Sequence, residues 1–484
     1  MICRRTSTSA AERLRALLAG VLALVLSGCA VGPKYVRPAA PVPTTYKESG
    51  DWITAQPSDD IPKGNWWEVF HDPELNSLED QVQVSDQNLK IAQAQYEQAR
   101  AMLRISRSDY FPTVTGGLSV EPTQLSENRP LSSISKVSNY TDYQLPIDAS
   151  YEPDVWGRVR RTVEASRSEA QASAADLATV NLSLHAELAM DYFELRGLDA
   201  QKQLLDSTVS AYEKALTLTQ SRFQGGIASA LDVAQARTQL DTTRAQDVDL
   251  EVARAQFEHA IAVLVGQPPA KFALPASPLD SIPPTTPPGL PSALLQRRPD
   301  IAAAERRVEE SNAEIGVAKS AYFPLVLLSG EAGFESTDPS NWFSGPSALW
   351  AVGGSAVMTI FDAGRRHAVT DQARAANDQS IAFYRETVLA AFQDVEDNLA
   401  ALRVLEDESS TQNAAVSEAQ RSLDLSLNLY KGGATDYLTV ITAQSTALSD
   451  ERTAVDISTR RMVASVMLVK ALGGGWDASN LPRL

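Results

Sequence analysis

The sequence predicts a mainly helical fold with a membrane-crossing β component, built as two tandem repeats, each of long antiparallel helices plus a two-stranded β unit. Three observations lead there. "SDYFPTV" (Ser108 to Val114) returns as "SAYFPLV" (Ser320 to Val326). "GRVRRTVEASR" from Gly157 answers "GRRHAVTDQAR" from Gly364, and "RFQGGIASALDV" from Arg222 answers "LYKGGATDYLTV" from Leu429, both at an offset of 207 residues. No proline occurs from Val155 to Gln267 or from Ser347 to Leu481, so two very long helical runs are permitted.

The N-terminus reads as a targeting signal. Arg4, Arg5, Arg13 and Arg15 precede an apolar core, Ala16 to Leu26, which is too short for an ordinary transmembrane helix. "LSGC" (Leu26 to Cys29) resembles a bacterial lipobox. Residues 1–28 are therefore expected to be removed, Cys29 to be acylated, and 29–72 to form a lipidated extension. Ala30 stands where lipoproteins kept at the inner membrane carry Asp, which points to the outer membrane. The only other cysteine is Cys3, so no disulfide is expected in the mature chain. A net charge of −17 argues against nucleic acid as a partner.

Repeat one is expected over 73–267 and repeat two over 300–475, followed by a tail at 476–484. In each, a helix (73–110; 300–322) runs into the Tyr-Phe-Pro motif. Proline ends a helix and biases the preceding residue to extended geometry, so the motif marks a helix-to-strand junction. Strands are expected at 111–121 and 140–155 in copy one, and at 323–335 and 348–362 in copy two. Tyr143, Leu145, Ile147, Ala149 and Tyr151 alternate with Gln144, Asp148, Ser150, Glu152 and Asp154. Val326, Leu328, Ala332 and Phe334 likewise alternate with positions that include Glu331 and Glu335. One face is apolar and the other polar and acidic. At ~3.3 Å per residue such strands cross a bilayer when tilted.

Long helices follow at 157–224 and 364–431, each roughly 100 Å if continuous. Gly225-Gly226 and Gly432-Gly433 then turn the chain, and return helices are expected at 227–266 and 434–472. The proline-rich stretch 268–299 carries apolar interruptions such as Phe272 and Leu274, as expected of a strap packed on the helices.

Four strands cannot close in lipid. Each unsatisfied backbone group there costs several kcal/mol, and closed barrels start at about eight strands. Other chains must complete the sheet: two give eight strands, three give twelve and room for a water-filled lumen.

"LPSALLQRRPDIAAAERRVEESNAEIGVAKSAYFP" (Leu290 to Pro324), "NWWEVFHDPELNSL" (Asn65 to Leu78) and "GCAVGPKYVRP" (Gly28 to Pro38) resemble bacterial outer-membrane efflux factors of the TolC and OprM type, lipoprotein branch. The resemblance covers nearly the whole mature chain. It implies a homotrimer in which a twelve-stranded β-barrel sits in the outer membrane on an α-helical periplasmic barrel. It implies a periplasmic adaptor (membrane fusion) protein, an inner-membrane pump of the RND type, outer-membrane lipid around the barrel, and no cofactor. It places the adaptor-docking tips at Gly225, Gly226, Gly432 and Gly433. It places a periplasmic gate near Asp232, Thr439 and Thr442, with Tyr430 and Asp436 available for locking helix to helix. The threonines depart from the family's usual Asp, and Asp232 also suits a helix N-terminus. Asp148, Glu152, Asp154, Glu331 and Glu335 would face the barrel lumen and favour cations.

An enzyme is not expected. His71, His185, His259 and His367 lack metal-ligand spacing, and "GGG" at Gly473 to Gly475 follows a helix instead of opening one. The expected function is a passive exit duct for drugs or other small toxic solutes in tripartite efflux. The alternatives are an outer-membrane duct of a type I protein-secretion system and a purely structural coiled coil.

Overall fold

The computed structural model describes residues 30–48, 64–126, 128, 139–284 and 291–484. The leader and Cys29 lie outside the described residues. After a short turn of 3-10 helix (Trp66–Phe70), α1 (Pro73–Ser85) and α2 (Gln87–Ser108) lead into β1 (Thr113–Gly116), β2 (Ser119–Gln124) and β3 (Asn139–Tyr151). Helices α3 (Arg158–Gln224) and α4 (Ala230–Leu264) complete the first copy. The second copy repeats the order with α5 (Pro291–Arg297), α6 (Pro299–Ser320), β4 (Leu325–Ser336), β5 (Ala348–Val357), α7 (Arg365–Lys431) and α8 (Tyr437–Ala471). Both α3 and α7 have 67 residues, and both α4 and α8 have 35.

Capping sets these lengths. Gly157 and Gly364 open the long helices with φ of 81° and 90°. The Asp154 carboxylate accepts from Val159 N and Arg160 N, both at 3.0 Å, and Asp362 accepts from Arg366 N at 3.2 Å. These carboxylates satisfy donors that a helix start leaves orphaned. At the far ends Gly226 and Gly433 take φ of 75°. Ile227 N donates to Arg222 O (2.8 Å) and Ala434 N to Leu429 O (2.9 Å), so the two turns are copies of each other. The return helices start at Ala230 and Tyr437, later than expected, because Ser229 and Asp436 serve as N-caps.

Two expected elements are divided. The helix at 73–110 breaks at Asp86, whose extended backbone caps α2 by accepting from Leu89 N at 2.9 Å. Gly266 packs so closely against Ser85, just before the break, that a Cβ on it would lie 2.7 Å from Ser85 Cβ. The first strand is split into β1 and β2, yet both pair with β3 in one register: Gly116 opposes Ile147 and Ser119 opposes Gln144. Pro146, opposite the gap, has no N–H to give; it only accepts, from Gly117 N at 2.9 Å. β1 and β2 are thus one stave.

The sheet is antiparallel throughout, in the order β1–β3–β4–β5 with β2 also on β3. Among the described residues it leaves two open edges, the β1/β2 stave and β5. Helices repeat this order above the midpoint as α2–α3–α6–α7, and below it as α4–α3–α8–α7. Although α3 and α7 match in length, α3 buries far more side chains. α3 has neighbours on both sides throughout, whereas α7 is an edge helix. Phe383 (56 % exposed), Leu389, Val404 and Leu425 of α7 lie open, as do Ile91 and Met102 of α2 and Val248 and Val252 of α4 at the other edge.

The main core sits at mid-height, where Trp66, Trp67, Phe70, Leu75 and Val82 pack on Leu188, Tyr192 and Phe193 of α3 and on Met462 and Val466 of α8. A second core joins Tyr46, Ile301, Val308, Tyr384, Val388 and Phe392. The proline-rich strap is tied down by Arg196 to Pro275 O (2.7 Å), Arg254 to Leu274 O (2.8 Å) and Asp199 accepting from Ser277 N (3.0 Å).

Candidate functional site: the acidic sheet face and the helical tips

Register determines which strand residues share a face. Thr115 opposes Asp148, Asp148 opposes Glu331, and Glu331 opposes Ala351, which forms one row across the sheet. Gln144 opposes Glu335, and Glu121 opposes Asp142, on the same face. Two carboxylates directly across a strand pair repel, so this face is stable only where water solvates it. The other face holds Val114, Ile147, Leu145, Ala332, Phe334, Trp350 and Val352. Trp350 and Val352 are 79 % and 81 % exposed. A sheet with one acidic face and one exposed apolar face is suited to separating water from oil.

Of the five acids expected on the polar face, Asp148, Glu331 and Glu335 lie on it. Glu152 and Asp154 do not, because β3 ends at Tyr151. Both turn to the start of α3: Glu152 pairs with Arg158 (2.6 Å) and Asp154 with Arg160 (2.9 Å). Alternation counted past a strand's end assigned a face to residues whose task is capping.

Aromatic side chains ring the strand bases. Trp156 stacks on Phe323 (centroids 4.7 Å apart) and donates its Nε1–H to Pro324 O at 2.8 Å. Tyr110, Phe111 and Tyr322 are exposed at the same junctions. The doubled Tyr-Phe-Pro motif therefore supplies both the helix-to-strand turn and aromatic groups suited to a membrane–water boundary. Ala30 touches Gly157 at this level: a Cβ on Gly157 would fall 2.7 Å from Ala30 Cα. Arg161 holds the segment there by donating to Val31 O (3.3 Å) and Pro33 O (3.0 Å).

At the opposite end, Gly225, Gly226, Gly432 and Gly433 form the two turns, with Phe223, Ile227, Leu231, Leu429 and Leu438 exposed around them. Asp232 forms a capping box with Ser229 (2.8 and 3.1 Å). Asp436 caps Thr439, accepting from its N (3.1 Å) and Oγ1 (2.7 Å). Thr442 Oγ1 donates to Leu438 O at 3.0 Å. Tyr430 and Tyr437 are buried together, rings 5.1 Å apart, with Ala236 and Val440. Burial pushes the Tyr437 hydroxyl up to about 12.

One tip residue escaped sequence reasoning. Arg222 lies over the Tyr430 ring (4.7 Å) and donates to Lys431 O at 3.0 Å, so it ties the end of α3 to the end of α7. Its counterpart in the second copy is Leu429, and that break in the repeat was the available signal. A second omission is the partner of His185: this residue is buried on α3, and its Nδ1 lies 2.5 Å from Glu79 Oε2 on α1 beneath the stacked Trp67 ring. Burial pushes His185 down to about 4, while burial and the charge of Asp80 hold Glu79 well above its usual range. Among the described residues no group of His, Cys, Asp and Glu could hold a metal ion.

Comparison with known proteins agrees with this geometry. Residues 78–267 and 290–474 match the family described as outer membrane efflux protein. The antibiotic efflux pump outer membrane protein ArpC of Pseudomonas putida is 32% identical over 462 residues, 94% of each chain. The toluene efflux pump outer membrane protein TtgC, also of Pseudomonas putida, shows the same identity and coverage. The solved outer-membrane channel OprN superposes with a TM-score of 0.87 at 30% identity, over 93% of this chain and all of that one.

Proposed function

The chain belongs to the outer membrane efflux protein family, and from that premise we propose that three copies close one barrel and one helical tunnel, a passive exit duct for small toxic solutes. It is the outer-membrane channel of an efflux pump and not an enzyme. The observation that carries the trimer is the pair of open edges. The β5 edge of one copy has a free ladder, as has the β1/β2 edge of the next, and the exposed apolar rows of α7 and of α2 and α4 lie on the same two sides. Four staves per copy give a twelve-stranded closed cylinder, the smallest multiple of four here that leaves a water-filled lumen.

In this reading the acidic faces of the staves line the lumen and the apolar faces meet outer-membrane lipid. Cys29 carries the acyl anchor; the seat of Ala30 at the strand bases supports that placement. The two-copy division at 73–267 and 300–475 follows the doubled element order. The Gly-Gly turns are the surface offered to a periplasmic adaptor, which links the duct to an inner-membrane pump of the RND type. Arg222, Tyr430 and Tyr437 hold the tips together in the resting state. Asp232, Asp436, Thr439 and Thr442 shape the constriction and cap their helices at once. Relatives named for toluene and antibiotic efflux point to amphiphilic substrates.

A deletion strain tests this. Loss of the chain should raise sensitivity to toluene and amphiphilic antibiotics, and the purified protein should form ion-conducting pores in planar bilayers. Unchanged sensitivity together with no conductance would overturn the proposal.

A further inference from the structure

The loop between β4 and β5 is described in full, and it is folded against the sheet's apolar face. Two short 3-10 turns, Pro339–Asn341 and Gly345–Ser347, build it. Asp338 caps the first, accepting from Ser340 N (2.9 Å) and Ser340 Oγ (2.8 Å). Ser347 Oγ closes the loop on Asn341 O at 2.8 Å. These bonds fix where the two aromatic side chains at its centre stand. Trp342 stacks on Phe343 with centroids 5.2 Å apart. Trp342 also meets Tyr143 (5.4 Å) and donates its Nε1–H to Phe334 O at 3.4 Å, while Phe343 meets Phe334 edge-on (5.7 Å). Tyr143 and Phe334 belong to the apolar face by register, in line with Ile147 and Ala332. The acidic face at the same height, Glu335 and Gln144, receives none of these aromatic contacts. Phe343 stays 66 % exposed.

We propose that the 337–347 loop is an outer-leaflet foot: it lies over the lipid-facing wall and seats Trp342 and Phe343 at the headgroup–acyl boundary, leaving the lumen mouth free of this loop. This rests on the duct reading above. The apolar face that the loop continues is the lipid-facing wall, and tryptophan with one polar N–H on an apolar ring suits the boundary between oil and water. The pair at the strand bases, Trp156 with Phe323, belongs to the matching belt at the other end. One stave length separates the two belts.

Site-directed spin labelling in phospholipid vesicles tests it. Nitroxides are placed one at a time at Phe343→Cys, Val352→Cys and Glu331→Cys, with the parent chain carried through the same labelling as a blank. Power saturation compares collision with oxygen, which concentrates in lipid, and with a water-soluble nickel chelate. Val352→Cys should favour oxygen and Glu331→Cys the chelate; if these two controls do not differ, the barrel reading itself fails. Given that contrast, the proposal requires Phe343→Cys to favour oxygen over the chelate, with a ratio nearer Val352→Cys than Glu331→Cys. A chelate-favouring label would show a loop over the mouth. A label shielded from both reagents would show a loop covered by another copy. Either result overturns the proposal.

Discussion

Replacing Arg222 with Ala should loosen the tips more than any other single change there. The guanidinium lies 4.7 Å over the Tyr430 ring and donates to Lys431 O at 3.0 Å. A partly shielded cation–π contact is worth ~1 kcal/mol. A hydrogen bond from a charged donor adds about 1.5–3 kcal/mol. The Arg222→Ala change therefore removes about 2.5–4 kcal/mol of attraction between the end of α3 and the end of α7 in each copy. If that attraction holds the resting state, the closed-to-open ratio falls by at least about 60-fold for each latch lost, at 1.4 kcal/mol per tenfold. Single-channel recording in planar bilayers reads this as longer and more frequent full openings. Arg222→Lys keeps the charge but not the planar stack, so it should fall between the two. Conductance and open time identical to the parent, in a variant that still assembles, would refute the latch.

Three further outcomes follow from the same geometry. Glu79→Gln should stabilise the chain increasingly as pH rises: Glu79 keeps its proton when folded but loses it above about 4.3 when unfolded, so its contribution is full below that value and fades upward. His185 works oppositely, contributing above about 6.5 and losing that contribution as pH falls through about 4, but it is common to variant and parent; their melting difference must therefore grow as pH rises above about 4.3, and a constant difference would contradict the raised Glu79 carboxyl. Gly197→Ala should cost about 1–3 kcal/mol, since its Cβ would fall 2.2 Å from Thr459 Oγ1 and 3.1 Å from Thr459 Cβ; Thr459→Ala in the same chain should recover part of the lost melting temperature. Asp148→Asn with Glu331→Gln should reduce cation preference in reversal-potential measurements, and an unchanged reversal potential would place that row of carboxylates away from the ion path.

The sequence was most legible where a physical constraint is local and doubled. A proline after an aromatic pair ends a helix, two glycines turn one, and both signals occur twice in the same order. Alternation revealed the two faces of the sheet at Asp148, Glu331 and Glu335. It failed at Glu152 and Asp154, because parity continues on paper after a strand has stopped, whereas Arg158 and Arg160 beyond Gly157 draw those acids into a helix start. The break at Asp86 was hidden because no proline or glycine marks it; a carboxylate accepting from Leu89 N makes it instead. The His185–Glu79 pair joins residues 106 positions apart, and no spacing rule reaches that far. Least visible was the difference between α3 and α7, equal in length and similar in composition: which one is flanked on both sides depends on the order of elements around the cylinder, not on either helix alone.

That order makes the number of chains the central claim. The most direct measurement is the mass of the intact, detergent-extracted protein by native mass spectrometry. Three chains in one particle, with no lower species until the detergent is stripped or the sample is heated, is the predicted result. A single chain, stable with its β5 and β1/β2 edges unpaired, would contradict the account.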